Sequence, residues 1–258
     1  MTHPSSRCLI LLLGDSITQK SFSNNGFGSA LSNWYSRTGD VVLRGFSGYN
    51  TSWYLKMLRT NPCHVLNNGY NSSILSHASI PSNRYIITLF LGANDISTDG
   101  QYVSVEQYES NVNDIIDTIN EQIKTCHPEV TTDASIILIT PGCVDESTWP
   151  TRTNENAKKY AEVIRSISLQ RSLPLVDLWS SPNALSISDL NDGLHFGPSA
   201  NQKTFEKIQE CIRKNRKDLS PDDDEDGMPL MEMHMPYWGR LVGEGGEKVI
   251  EEWEWKWK

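Results

Sequence analysis

Long apolar runs are missing from this sequence of 258 residues, and none approaches the roughly 20 consecutive apolar residues that a membrane-spanning helix needs. Positive charge is also scarce, because 23 Lys and Arg stand against 32 Asp and Glu and the basic residues form no cluster. A nucleic-acid-binding surface usually shows such a cluster. We therefore expect neither membrane insertion nor a nucleic-acid partner.

Cysteine and histidine patterns typical of metal sites are missing as well. The sequence has no HExxH motif and no CxxC pair, so it indicates neither a metal nor a disulfide framework, and we expect no cofactor. The five cysteines are scattered along the chain, at Cys8, Cys63, Cys126, Cys143 and Cys211. Scattered, unpaired cysteines are typical of a reducing compartment, which predicts a cytoplasmic protein.

The first apolar run faintly resembles part of a signal peptide, because Arg7 precedes it. The run Cys8–Leu13 is only six residues long and leads directly into the polar sequence Gly14-Asp15-Ser16-Ile17. Cleavage after the run would remove or displace Ser16, which carries the chemistry argued below. We therefore interpret the run as a strand that is buried on both faces.

Short apolar runs alternate with amphipathic segments along most of the chain. The predicted strands cover residues 9–13, 41–44, 84–91, 135–140 and 175–178, and the predicted helices cover 27–37, 52–58, 104–127, 154–171 and 199–217. Strands that alternate with helices favour parallel pairing through right-handed crossovers. The pattern predicts an α/β fold, a three-layer α/β/α sandwich around a mainly parallel, flavodoxin-like sheet of about five strands, in one domain over residues 1–217.

Two segments far apart in the sequence contain the parts of an activated nucleophile. Ser16 follows the first predicted strand, at the end where open α/β sheets bind their ligands. Far downstream, Asp192 precedes His195 by three residues, and in a helical turn that spacing places both side chains on one face. Asp192 could then hold the Nδ1 proton of His195. Serine, histidine and aspartate together predict a serine esterase.

Two further segments follow predicted strands, namely Arg44-Gly45-Phe46-Ser47-Gly48-Tyr49-Asn50-Thr51 and Leu91-Gly92-Ala93-Asn94-Asp95. With Ser16 and His195 they make four motifs in a fixed order. In these motifs the chain resembles the SGNH (GDSL-type) hydrolase family, and within it most resembles the isoamyl acetate-hydrolysing esterases. On ordinary domain sizes we expect the resemblance to cover about Leu9 to Lys217 and to end before the tail.

The resemblance implies a role for each motif residue. It implies a catalytic triad of Ser16, Asp192 and His195. It also implies that the backbone N–H groups of Ser16 and Gly48 and the side-chain amide of Asn94 bind the substrate oxyanion. Such donors stabilise the negative charge that develops on the substrate oxygen.

The same residues also have ordinary structural explanations. Ser16 could cap a helix, Gly48 could provide a tight turn, and Asn94 could be a turn residue after a strand. Asp15 and Asp95 are expected to brace loops rather than to take part in the chemistry.

The motifs and the resemblance together imply hydrolysis of small carboxylic esters through an acyl-enzyme, with acetate esters of short alcohols as the first choice. A thioesterase, a lysophospholipase or a carbohydrate acetylesterase of the same family would carry the same motifs. A catalytically inactive binding module that acts through its tail is the alternative of a different class. The G-x-S-x-G elbow of other esterases is absent, because Tyr49 stands where its second glycine would be, and Ser47 is therefore a poor rival nucleophile.

Residues 218–258 differ in composition from the rest of the chain. They contain twelve acidic and four basic residues, and residues 221–227 form an acidic run of a composition that resists packing. Half of the eight tryptophans follow, at Trp238, Trp253, Trp255 and Trp257. Indole faces usually find a partner. We expect a partly disordered tail that docks onto its own domain or onto another protein.

Overall fold

The computed structural model describes residues 8–60, 85–126, 135–180 and 184–222. Five parallel strands form one sheet in the order β2-β1-β3-β4-β5, which is the flavodoxin-like order. The strands are β1 (Cys8–Gly14), β2 (Gly39–Gly45), β3 (Tyr85–Phe90), β4 (Ser135–Ile139) and β5 (Leu175–Val176). The predicted fold class is confirmed.

Six α-helices lie in the described ranges: α1 (Ser16–Gln19), α2 (Phe27–Trp34), α3 (Thr51–Thr60), α4 (Val105–Cys126), α5 (Asn154–Arg171) and α6 (Pro198–Asn215). All predicted strands and helices are present, and their ends differ from the predicted ones by at most three residues. The short helix α1 was not predicted, because four residues are too few to show a helical period.

Strand β1 explains how the sheet is buried on both faces. Leu9, Leu11 and Leu13 contribute to one hydrophobic core together with α3, α4 and α5. Ile10 and Leu12 contribute to the core on the opposite face, together with α2 and α6. Successive side chains of a strand point to opposite faces, so a continuous apolar run supplies both cores at once.

Helix α4 shows the helical spacing that the sequence predicted. Its inward residues are buried against the sheet, at Val112, Ile115, Ile116, Ile119 and Ile123. They recur at intervals of three and four residues, as one face of a helix requires. Among the described residues, none of the helices combines the length and the apolar content that crossing a membrane would demand.

The carboxyl ends of three neighbouring strands meet at one edge of the sheet. β1 lies between β2 and β3, and its last residue, Gly14, is in register with Gly45 and Phe90. The chain therefore leaves these strands through three adjacent loops. Because the strand order reverses beside β1, this edge has the crevice in which α/β sheets bind ligands.

The packed part of the chain continues past Lys217. Leu219 is buried, and its carbonyl accepts a hydrogen bond of 2.8 Å from the Tyr35 hydroxyl. Asp222 accepts two hydrogen bonds from the Arg213 guanidinium, at 2.7 and 2.8 Å. Residues 223–258 lie outside the described residues, so the division of the chain after residue 217 and the predicted docking of the tail remain predictions.

Candidate active site

Ser16, His195 and Asp192 are joined by hydrogen bonds at the carboxyl edge of the sheet. The Nε2 atom of His195 lies 2.9 Å from the Ser16 hydroxyl oxygen, and its Nδ1 atom lies 2.7 Å from Oδ2 of Asp192. Ser16 begins α1 directly after β1, and Asp15 caps that helix by accepting a hydrogen bond of 2.9 Å from the Ile17 N–H. The three side chains that the sequence proposed therefore meet in space.

The loop that carries Asp192 and His195 is not helical, which corrects the predicted helical turn. Gly193 has a φ of +84°, a value that glycine adopts without strain and that a right-handed helix excludes. Oδ1 of Asp192 accepts hydrogen bonds from the backbone N–H groups of Leu194 at 3.1 Å and His195 at 2.8 Å. This side-chain-to-backbone turn brings the carboxylate onto the imidazole at the same sequence spacing.

The charge of Asp192 suits a hydrogen bond to the imidazole. Burial raises the pKa of Asp192, but the hydrogen bonds from the backbone and ring of His195 and from the Leu194 N–H outweigh burial and hold the pKa below its usual value. Asp192 is therefore an anion at neutral pH and can only accept hydrogen bonds. A neutral His195 then carries its proton on Nδ1 and leaves Nε2 free to accept the Ser16 proton.

Gly48 occupies the third position of a tight turn after β2. The Tyr49 N–H donates to the Phe46 carbonyl at 3.1 Å, and the φ of Gly48 is +81°. A turn of this type requires a positive φ at the third position, which explains the glycine. No acceptor for the Gly48 N–H is found among the described residues. The same holds for the Ser16 N–H in the first position of α1.

The Asn94 side chain joins the loop after β3 to the loop after β2. Its Nδ2 donates to the Tyr49 carbonyl at 2.9 Å. A side-chain amide carries two N–H donors, so one remains for a ligand. Asn94 is almost fully buried, with 4% of its surface exposed. The structure thus brings Asn94 and the Gly48 turn together, as the motifs predicted.

Asp15 and Asp95 brace loops beside the site. Oδ1 of Asp95 accepts from both the backbone N–H and the hydroxyl of Thr51, at 2.9 and 2.5 Å, and so fixes the start of α3. Burial raises the pKa of Asp95 to about 6 and that of Asp15 to about 7. Both carboxyls are enclosed rather than open to a substrate, which agrees with the structural role expected from the sequence.

Three residues beside the site were not singled out from the sequence. Arg152 donates to the side-chain oxygen atoms of Asn94 and Gln101, and the indole Nε1 of Trp149 donates to the Asp192 carbonyl at 2.8 Å. None of the three belongs to a motif, and their partners lie far away along the chain. A single sequence carries no signal that would have found them.

Residues 12–203 match the GDSL-like lipase/acylhydrolase family. The chain belongs to this family. Esterases and acylhydrolases of the family have a catalytic triad and an oxyanion hole, and the resemblance inferred from the four motifs is confirmed. Among the described residues, no group of three or more His, Cys, Asp or Glu side chains is arranged to hold a metal ion.

Three curated relatives are similar over most of the chain. A GDSL esterase/lipase of Arabidopsis thaliana is 33% identical over 94% of this chain and 97% of its own length. An isoamyl acetate-hydrolyzing esterase 1 homolog of Homo sapiens is 30% identical, with 89% and 86% covered. The isoamyl acetate-hydrolyzing esterase of Saccharomyces cerevisiae is 30% identical, with 72% and 78% covered.

The alignment with the Arabidopsis relative corrects one expectation. It covers 94% of the chain, whereas residues 1–217 are only 217 of the 258 residues. The similarity therefore continues past Lys217 into the tail.

Solved structures support the fold. An acetyl xylan esterase matches with a TM-score of 0.57 at 18% identity, over 79% of this chain and 99% of its own. A lipase/acylhydrolase from Enterococcus faecalis matches with a TM-score of 0.54 at 24% identity, over 81% and 96%. At these identities the likeness concerns the fold alone.

Proposed function

We propose that this protein is a serine esterase that hydrolyses small carboxylic esters through an acyl-enzyme on Ser16. The observation that carries the proposal is the continuous hydrogen-bond path from Asp192 through His195 to the Ser16 hydroxyl. A serine hydroxyl is a weak nucleophile until an adjacent base accepts its proton. The path supplies that base and a carboxylate that orients it.

Acylation begins with transfer of the Ser16 proton to Nε2 of His195. The Ser16 oxygen attacks the ester carbonyl carbon, and the carbonyl oxygen becomes an anion. Asp192 stabilises the imidazolium that forms. When the intermediate collapses, His195 returns the proton to the leaving alkoxide, which departs as the alcohol.

The oxyanion is bound by three donors, namely the N–H groups of Ser16 and Gly48 and the free N–H of the Asn94 amide. The support for this assignment is that the described residues offer no acceptor to the two backbone donors. Fixed donors of this kind stabilise the transition state more than the substrate and therefore increase the rate.

Water completes the cycle by the same route. His195 accepts a proton from a water molecule, the hydroxide attacks the acyl carbon, and the oxyanion forms again in the same place. The intermediate then expels Ser16, which recovers its proton from His195. The acid leaves and the enzyme is restored.

Acetate esters of short alcohols are the substrate class that we propose. The support is the similarity to the isoamyl acetate-hydrolyzing esterase of yeast and to the human isoamyl acetate-hydrolyzing esterase 1 homolog. The catalytic residues would be the same for longer acyl chains, so the discrimination must come from the walls of the pocket. A series of acyl and alcohol lengths, with a thioester of matched length, should show the highest kcat/KM for acetates. A preference for long acyl chains or for thioesters would overturn this part.

The nucleophile is tested by Ser16→Ala. The variant should fold, fail to hydrolyse p-nitrophenyl acetate above about one millionth of the wild-type kcat, and fail to react with an organophosphonate probe. Ser166→Ala is a matched control, because the Ser166 hydroxyl lies on α5 and accepts a hydrogen bond from Gln170. It should keep full activity and labelling. Stoichiometric labelling of the Ser16→Ala variant would overturn the assignment.

A further inference from the structure

The oxyanion side of the site contains two side-chain amides whose orientation matters. Each amide has a donor end and an acceptor end that are similar in shape. Asn94 can serve an oxyanion only if its nitrogen faces the substrate. Gln101 lies beside Gly48 and can hold the Gly48 carbonyl only through its nitrogen, which donates to that carbonyl at 2.7 Å. A neighbouring group that can only donate, or only accept, hydrogen bonds would select one orientation of each amide.

Arg152 contacts the acceptor end of both amides. Its Nη2 donates to Oε1 of Gln101 at 3.1 Å and to Oδ1 of Asn94 at 3.4 Å. Its Nε donates to the Ala93 carbonyl at 2.9 Å. A guanidinium has donors only, so it stabilises each amide with the oxygen towards it and the nitrogen away from it.

The two amide nitrogens then bind two successive carbonyls of the chain at the Gly48 turn. The Gln101 nitrogen binds the Gly48 carbonyl, and the Asn94 nitrogen binds the Tyr49 carbonyl. The Gly48 turn is thus held by two hydrogen bonds that both depend on one guanidinium. These contacts fix the direction in which the Gly48 N–H and the second Asn94 N–H point.

Arg152 is itself held in place. Only 3% of its surface is exposed, and its guanidinium carbon lies 5.1 Å from the centre of the Trp149 ring. The Trp149 ring meets the His195 ring edge-on, with 6.2 Å between the ring centres. The same indole therefore contacts both the guanidinium and the catalytic imidazole.

We propose that Arg152 is a positioning residue, which acts through Asn94 and Gln101 to set the orientation of the oxyanion donors. The proposal rests on the proposed function, because it concerns the donors of that same reaction. The guanidinium has a fixed fork of donors and serves four acceptors at once, namely the two amide oxygens, the Ala93 carbonyl and the Thr151 hydroxyl, which a lysine ammonium on a flexible stem cannot reproduce.

The first test is Arg152→Gln, with Arg152→Lys beside it. Misplaced donors should lower kcat by about 10²-fold while KM changes little, because the donors act mainly in the transition state. Lysine should rescue little of the loss. In the Asn94→Ala background, Arg152→Gln should cost much less than it does alone, because residues that act through one another are not additive.

The second test is Gln101→Glu, which separates positioning from stability. A carboxylate accepts from Arg152 with a charge-assisted hydrogen bond, which should preserve or raise the thermal stability. It has no donor for the Gly48 carbonyl, so kcat should fall by at least about 10-fold. A merely structural role for this network would leave kcat unchanged in a folded Gln101→Leu variant, which removes the same donor without placing a negative charge beside the oxyanion.

Arg165→Gln is the matched control. Arg165 lies on α5, and it forms a half-buried ion pair of 2.8 Å with Asp177, which lies in the loop after β5. It should lose stability and keep kcat.

Wild-type kcat in folded Arg152→Gln would overturn the proposal and leave the proposed function intact. If Arg152→Gln does not fold, the result for Gln101→Leu decides. Wild-type protein without Ser16-dependent hydrolysis would overturn both proposals.

Discussion

The imidazole side and the oxyanion side of this site hold their groups in different ways. Asp192 and His195 lie on one loop, and the Asp192 side chain is 40% exposed. The hydrogen bonds of the Asp192 carboxylate join it to residues two or three positions further along the same loop. Asn94 and Arg152 are almost fully buried, and their hydrogen bonds join loops that lie tens of residues apart. The imidazole side is held by contacts within one loop and is partly exposed. The oxyanion side is held by contacts between distant loops and is buried.

The difference has an energetic consequence. An exposed polar group that loses a partner can turn to water, so its replacement costs little stability. A buried group cannot, and each donor or acceptor left without a partner costs about 1–3 kcal/mol. Variants of the imidazole side should therefore lose activity alone, whereas variants that remove a buried side chain from the oxyanion side should lose activity and stability together.

Among the variants that compare the two sides, the largest loss of activity is expected for Asp192→Asn. The asparagine oxygen can keep the two backbone hydrogen bonds of the loop, but its nitrogen would donate to Nδ1 and force the proton of His195 onto Nε2. That tautomer cannot accept the Ser16 proton, so kcat on p-nitrophenyl acetate should fall by up to about 10⁴-fold. The free energy of unfolding should change by less than about 0.5 kcal/mol. A large loss of stability would break the comparison.

A smaller loss of rate, with a larger loss of stability, is expected for Asn94→Ala. Removal of one oxyanion donor lowers kcat by about 10²- to 10³-fold. The buried Arg152 guanidinium and the Tyr49 carbonyl would each lose a partner, which should cost about 1–3 kcal/mol in the free energy of unfolding. Both quantities follow from kinetics and denaturant unfolding of the same preparations.

Asn113→Ala is the control for this prediction. Asn113 lies on α4, and its amide donates to the Glu109 carbonyl at 3.0 Å. It should leave kcat unchanged. If Asn94→Ala keeps the wild-type kcat, the assignment of Asn94 as an oxyanion donor is wrong.

The same division explains how much the sequence predicted. The triad could be predicted because its aspartate and histidine share one short segment. Its serine directly follows a strand, and open α/β sheets bind their ligands at the carboxyl ends of the strands. The sequence also predicted all five strands, because each contains a short apolar run. It predicted the contact of Asp192 with His195 for a wrong reason, since an Asx-type turn and not a helix joins them.

Arg152 and Gln101 could not be predicted from one sequence. Arg152 is separated from Asn94 by 58 residues and from Gln101 by 51. Which loops meet above the sheet depends on strand order and loop packing, and hydrophobic periodicity contains neither. A lone arginine in a loop is more often an exposed residue than the centre of a buried network.

A pH-dependent effect on stability is expected from Asp15, the buried carboxyl beside the nucleophile. Burial raises the pKa of Asp15 from 3.8 to about 7. The hydrogen bond from the Ile17 N–H lowers this pKa, and the negative charge of the neighbouring Asp95 raises it further. The folded state thus keeps a proton that the unfolded chain releases. The free energy of unfolding should therefore fall as pH rises from about 4 to about 7, by at most about 1.4 kcal/mol per pH unit from this group.

Asp15→Asn isolates that contribution, because an amide has no proton to release. The wild type should lose stability relative to the variant as pH rises through this window. Asp177→Asn is the opposite control. Burial raises the pKa of Asp177, but the hydrogen bonds from Arg165 and from the backbone outweigh burial and lower that pKa to about 2. Its difference from wild type should be constant from about pH 5 to pH 7 and change only in more acidic solution. A constant difference for Asp15→Asn would contradict the raised pKa.

The smallest effect on activity is expected from removal of the tail, because we assign none of its residues to either side of the site. A chain that ends at Asp222 keeps the buried Leu219 and the ion pair with Arg213, so it should fold and retain the wild-type kcat on p-nitrophenyl acetate. A chain that ends at Lys217 lacks both Leu219 and Asp222 and should be less stable by about 2 kcal/mol, chiefly because the buried apolar surface of Leu219 is lost. Each folded molecule should still turn over at the same rate. A folded chain ending at Asp222 that has lost its kcat would show that residues 223–258 contribute to the site, and the active site would then have a third side.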